Sequence, residues 1–158
     1  MHFCKIYHYY ILTVCLKSFS ITAMLKFINI NFPLKRMTPP NNITLSKDKR
    51  LLTVSFKDND YALTSEFLRV HSPSAEVRGH GPGQETLQLN KQDVTISSIV
   101  PMGNYAIAIH FSDGHNTGIY SWSYLFHLGA DKEELWQEYS NRVNETNKNK
   151  KNYQKVSI

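Results

Sequence analysis

The dipeptide Asp113-Gly114 sits between two strand-like runs, Asn104 to Phe111 and His115 to Tyr120. Asp-Gly at such a place predicts a two-residue type I′ hairpin turn, because both central positions need positive φ and the twist of that turn matches paired strands. The chain is thereby committed to an antiparallel pair, and its register follows by counting. Ser112 is expected opposite His115, Phe111 opposite Asn116 and His110 opposite Thr117. Side chains alternate across a strand, so Tyr105, Ile107, Ile109 and Phe111 share a core-facing side with Gly118 and Tyr120. The same count puts His110 and His115 together on the other side.

The rest of the chain supplies partners for this hairpin. Ile43 to Leu45, Leu51 to Phe56 and Tyr61 to Leu63 read as a three-strand meander, separated by the polar turns Ser46 to Arg50 and Lys57 to Asp60. Thr64 or Ser65 caps a short helix through Leu68, and a loop begins at His71. Thr86 to Leu89 and Val94 to Val100 are further strand candidates. Ser121 is an N-cap for a turn through Trp122, Leu125 and Leu128, with Gly129 as its stop. Asp131 and Glu134 have the spacing of a capping box, and Leu135, Trp136, Tyr139 and Val143 follow at helical intervals. The fold class is therefore α+β: a small mixed or antiparallel β-sheet, meander plus hairpin 104–120, packed by short helices and a C-terminal helix at about 131–143.

Charge divides the chain into three parts. Residues 1–36 carry five basic and no acidic side chains, 37–141 carry eight basic and twelve acidic, and 142–158 carry five basic and one acidic. The net charge of +5 thus resides in the flanks, and the middle is acidic. Nucleic-acid binding needs cations gathered on a presented face, so no nucleic-acid partner is expected. Residues 1–36 form an apolar, basic extension whose longest uncharged window, Ile6 to Leu16, is short of the roughly 20 residues of a membrane span. Lys5 followed by that window resembles the start of a cleaved signal, but no cleavage box follows. Met37 opens a normal entry into a globular domain and is the expected natural start. The domain proper is 37–143, and the Asn/Lys-rich segment 144–158 is expected to be disordered. Both cysteines, Cys4 and Cys15, lie in the extension. The domain itself has no disulfide framework, which fits a cytoplasmic protein; the alternative is membrane association through residues 1–36.

Two groups of residues invite a chemical reading. His110-x-x-Asp113-x-His115 supplies the two-histidine-and-carboxylate types of a non-haem metal site, for iron or zinc, and His71 and His80 bracket an earlier loop that contains Glu76. Each has an ordinary alternative: Asp113 builds the turn, and the histidines can sit on the surface or bond backbone. The run Arg78-Gly79-His80-Gly81-Pro82-Gly83-Gln84 exposes backbone N–H groups beside a guanidinium, which suits partner recognition through Arg78, His80 and Gln84. It is neither a P-loop nor a dinucleotide fingerprint. No cysteine nucleophile, G-x-S-x-G elbow or H-E-x-x-H pair occurs in the domain, so no catalytic residues are assigned.

Phe67 to Val70, Ser72 to Gln84, Val100 to Tyr105 and Asp113 to Trp122 together resemble the gamma-butyrobetaine hydroxylase-like N-terminal domain family over about residues 40–143. The resemblance implies a small α+β unit that stands alone, precedes a hydroxylase catalytic domain, or is joined to iron–sulfur carrier ATPases. It also implies a zinc site of three cysteines and one histidine in the hydroxylase members. Those cysteines fall here on Ser72, Ser74 and Val77, and the histidine on His115. Hydroxyls and an isopropyl group cannot replace thiolates at a structural zinc. The expectation is a non-catalytic binding or adaptor module with a protein partner, tied by family association to iron–sulfur or metal-dependent metabolism. The alternative is a metal-binding protein using His71, His110 and His115 with carboxylates.

Overall fold

The computed structural model describes residues 39–79 and 84–156, with side chains through Lys150. The meander forms as the sequence indicates. Strands β1 (Asn42–Leu45), β2 (Leu51–Ser55) and β3 (Asp60–Thr64) pair antiparallel in the order β1-β2-β3, with Ile43 opposite Val54 and Leu52 opposite Leu63. Alternation does the sorting, since Leu52 and Val54 of β2 are wholly buried while Leu51 is exposed.

Thr64 ends β3 and caps helix α1 (Ser65–Val70), its hydroxyl accepting the Phe67 N–H at 3.2 Å. The helix runs two residues beyond the expected end at Leu68. A single turn, α2 (Ala75–Arg78), follows. Thr86 to Leu89, expected as a strand, is irregular. Its backbone groups are taken by neighbours instead of a ladder: Thr86 N–H donates to Val77 O at 2.9 Å, and Gln88 O accepts the Tyr139 hydroxyl at 2.9 Å.

A second antiparallel sheet holds β4 (Ile96–Met102), β5 (Ala106–Phe111) and β6 (Ile119–Ser121) in that order. Ile107 faces Tyr120 and Ala108 faces Ile119, the register that counting from Asp113-Gly114 gives. The turn itself differs. Only Gly114 has positive φ, at 87°; Asp113 does not. Gly114 N–H donates to Phe111 O at 3.2 Å and Phe111 N–H to His115 O at 2.9 Å. This is a three-residue loop closed by a glycine bulge rather than a two-residue I′ turn. The physical cause is the Asp113 carboxylate, which is held by Arg69 and Lys91 and accepts the His115 N–H, leaving Asp113 in ordinary backbone space.

The extra residue slips the pairing by one at the tip. His115 swings onto the core side, 5.9 Å from the Phe111 ring, and is 5% exposed. His110 stays half-buried on the opposite side, where its Nδ1 meets the Ser98 hydroxyl at 3.1 Å. The expected pairing of the two histidines on one face is therefore not formed. Tyr105, expected in the core, is 59% exposed because β5 begins one residue later, whereas Ile107, Ile109, Phe111 and Tyr120 are buried as expected.

Ser121 caps α3 (Trp122–Ala130), accepting the Tyr124 N–H at 3.2 Å. Leu125 and Leu128 are buried. Gly129 lies inside this helix and does not stop it. A Cβ there would come within 2.2 Å of the Tyr61 ring, so the glycine permits close helix–sheet approach. Asp131 turns back to His127 at 2.6 Å instead of closing a capping box. Helix α4 (Lys132–Val156) sets Leu135 and Trp136 on the core and continues through the segment expected to be disordered. The segment 144–156 has no Gly or Pro to stop the helix, and residues 147–150 are exposed.

Candidate functional site

Helix α1 ends at Val70, and the chain then crosses beneath the β5–β6 turn. Ser72 is 1% exposed, and its hydroxyl lies 2.7 Å from His115 Nε2 across 43 residues of sequence. On the other side of the ring, His115 Nδ1 meets the Glu76 carboxylate, which also accepts the Thr117 hydroxyl at 3.2 Å. This arrangement suits the neutral tautomer with its proton on Nδ1 and Ser72 donating to Nε2. Burial, followed by the charge of Arg69, holds the His115 pKa below the ordinary histidine value despite Glu76. Gly118 makes the crossing possible: a Cβ there would stand 2.5 Å from Ser72 Oγ and 3.0 Å from the Tyr120 ring.

The atom order, serine oxygen to Nε2 and Nδ1 to carboxylate, is that of a nucleophilic triad. Burial decides what it can do. Ser72 borders an adjoining groove, but only 1% of its surface is exposed, and its Oγ sits against Gly118 and accepts the Ser74 N–H at 3.4 Å. The arrangement holds two segments together.

Beside it lies a charged network that sequence reasoning did not single out. Arg69, 6% exposed, donates from Nε to Asp113 Oδ2 at 2.9 Å and from a terminal nitrogen to Gln88 Oε1 at 3.3 Å. Lys91 reaches the same Asp113 oxygen at 2.7 Å. Burial works against the Asp113 charge, but Lys91, the His115 N–H and Arg69 outweigh it and hold the carboxyl below its usual range. By sequence Arg69 falls just past a short helix, within the run Phe67 to Val70 that carries the family resemblance, and has no assigned partner; its partners lie 19 and 44 residues away.

A groove of about 590 Å³ opens next to this region, between the 71–79 loop, residues 85–88, α3 and α4. His71, Arg78, Gln88, Tyr124, Tyr139 and Arg142 line it. Arg78 stacks over the Tyr124 ring at 4.6 Å, and the Tyr124 hydroxyl donates to His71 O at 2.7 Å. Every acidic side chain of the protein lies within the described residues, yet none pairs with Arg78 or Arg142. Glu85 and Glu138 also line the groove. Gly79, at φ 70°, brings Gln84 against the end of α2, where a Cβ would stand 2.4 Å from Gln84 O.

The residues expected at a metal site separate accordingly. His71 Nδ1 lies 2.9 Å from Phe67 O, and burial lowers its pKa; His110 is with Ser98; His115 is with Ser72 and Glu76. Among the described residues no three metal-ligating side chains converge. Ser72 lies against His115 and accepts the Ser74 N–H, and Ser72, Ser74 and Val77 are buried at 1%, 5% and 5% exposure. They offer two hydroxyls and an isopropyl group, and Ser72 already serves His115, so the thiolate-and-imidazole zinc site does not fit these residues. Of the partner-recognition candidates, Arg78 lines the groove, Gln84 is exposed on the adjoining loop, and His80 lies outside the described residues. No helix among the described residues is long and apolar enough to cross a membrane.

Fold and site define a small α+β domain of two three-stranded sheets, with a loop held under a hairpin turn. The chain belongs to the gamma-butyrobetaine hydroxylase-like, N-terminal family, whose model matches residues 43–126. Two solution NMR structures are similar to it. One is 40% identical with a TM-score of 0.63, covering 70% of this chain and 88% of its own; the other is 39% identical with a TM-score of 0.62, covering 73% and 86%. A crystal structure of a protein of unknown function in the DUF971 family, from Acidithiobacillus ferrooxidans ATCC 23270, is 38% identical over 58% of this chain and 92% of its own, with a TM-score of 0.48. No curated protein matches the chain.

Proposed function

We propose that this protein is a non-catalytic binding module that contacts a protein partner through the groove beside Arg78. The observation that carries the reading is the pair of arginines, Arg78 and Arg142, lining one groove with Tyr124 and Tyr139 and lacking any carboxylate partner within 4.0 Å among the described residues. Arginine and tyrosine are the residue types that carry binding energy at protein interfaces, and stacking on Tyr124 holds the Arg78 guanidinium in one orientation at little further entropic cost. The buried Ser72 hydroxyl supports a contact role over a chemical one. A partner in iron–sulfur or other metal-dependent metabolism rests on family association alone, and a cytoplasmic setting on the cysteine-free domain.

Site-specific photo-cross-linking tests this. A photoreactive residue at Leu87, in the groove, is expected to capture one protein that rebinds when purified. Binding should weaken at least about tenfold in Arg78→Glu, equivalent to loss of a single interface hot spot. Capture of the same species from Ser97, an exposed position on β4, or binding indifferent to Arg78→Glu, overturns the groove as the contact surface. Elemental analysis separates the metal-binding reading: one equivalent of iron or zinc per chain, lost in His115→Ala, would replace the adaptor with a metal protein.

A further inference from the structure

The loop from Ser72 to Arg78 is fastened to the β5–β6 turn at positions where the family resemblance implies a metal, yet its side chains cannot hold one. Three features of the structure replace such a crosslink. The Ser72 hydroxyl reaches His115 Nε2 at 2.7 Å, the Glu76 carboxylate reaches both His115 Nδ1 and the Thr117 hydroxyl, and Gly118 leaves room for Ser72 to pass. We propose that Ser72, His115 and Glu76 form a metal-independent clasp that fastens the α1–α2 loop, and with it the groove wall at Val77 and Arg78, to the hairpin.

The two buried members of the clasp are a donor and an acceptor that would each be costly to leave unpaired, so the contact resists opening. Glu76, whose side chain is 57% exposed, closes the outer end and orients the ring. Val77, between Glu76 and Arg78 in the same turn, is 5% exposed and lines the groove. The consequence is that the groove wall forms whatever the metal supply. This inference stands apart from the binding reading, because its test reads stability and histidine chemistry and needs no partner.

The test uses the full chain. Its melting temperature is expected to agree within about 1 °C with and without excess EDTA, since a chelator cannot strip a metal that the native state does not hold. Ser72→Ala is expected to lower the melting temperature by about 4 °C or more, and Glu76→Gln by less, while Ser97→Ala, on the exposed side of β4, leaves it unchanged. Long-range proton–nitrogen NMR of the histidines should show His115 as the Nδ1–H tautomer, becoming mixed in Glu76→Ala, which removes the acceptor. That spectrum decides the matter even where Ser72→Ala does not fold. A melting temperature lowered by EDTA, an unaltered tautomer in Glu76→Ala, or a Ser72→Ala variant as stable as Ser97→Ala overturns the clasp.

Discussion

Arg69 is the residue whose removal the structure marks as most damaging among the charged groups. Its guanidinium is buried against Asp113 and Gln88, tying α1 to the hairpin turn and to the irregular 84–91 stretch. Arg69→Met keeps the stem and deletes the charge. Unfolding in urea should show a loss of about 2–3 kcal/mol, below the 3–5 typical of a fully buried pair, because Lys91 still neutralises Asp113. The histidines set a pH response. His115 and His71 both have folded pKa values below the ordinary 6.5, the first from burial and Arg69, the second from burial. The unfolded chain therefore binds more protons below that value. Their contribution is complete above about pH 6.5 and is lost as pH falls through the folded values. Thermal melts between pH 7.5 and 5 should show falling stability, with a shallower fall in His71→Gln and His115→Gln.

At the scale of elements, short backbone signals were read with success where the reason was local. Thr64 and Ser121 are caps because each hydroxyl finds an N–H three residues on, and β2 buries alternate residues because its two faces differ. The turn at Asp113 and the glycine at 129 were legible in type but not in role, because distant partners decided them. Arg69 and Lys91 hold the Asp113 side chain, and the turn becomes a bulged loop. Tyr61 presses on Gly129, and the residue that reads as a helix stop becomes a contact point within the helix. Gly129→Ala tests this reading. A helix stop or free surface would gain up to about 1 kcal/mol from the better helix former, whereas overpacking against Tyr61 should cost about 1–3 kcal/mol, measured by denaturant unfolding. Edge strand β4 carries a bulge between Ile96 and Ser98 and a proline at 101, both of which discourage further strand pairing.

For the molecule as a whole, the core from Leu52 through Leu128 and the packing of Leu135 and Trp136 lie within residues 37–143. The final part of α4 is solvent-exposed where its side chains are described. A chain spanning 37–143 should therefore fold with a melting temperature within about 2 °C of the full protein, less than the shift produced by 1 kcal/mol in a domain of this size. A larger loss would assign a structural role to one of the flanks. The sequence by itself determined the α+β class, the meander, the hairpin register and the absence of cysteine ligands, since these follow from period, turn chemistry and residue type. Only the tertiary structure decided where His115 points, what Arg69 holds and which walls enclose the groove. Those outcomes depend on a one-residue bulge and on contacts spanning 41 to 44 residues, as between Glu76 and Thr117 or Arg69 and Asp113, which no local pattern records.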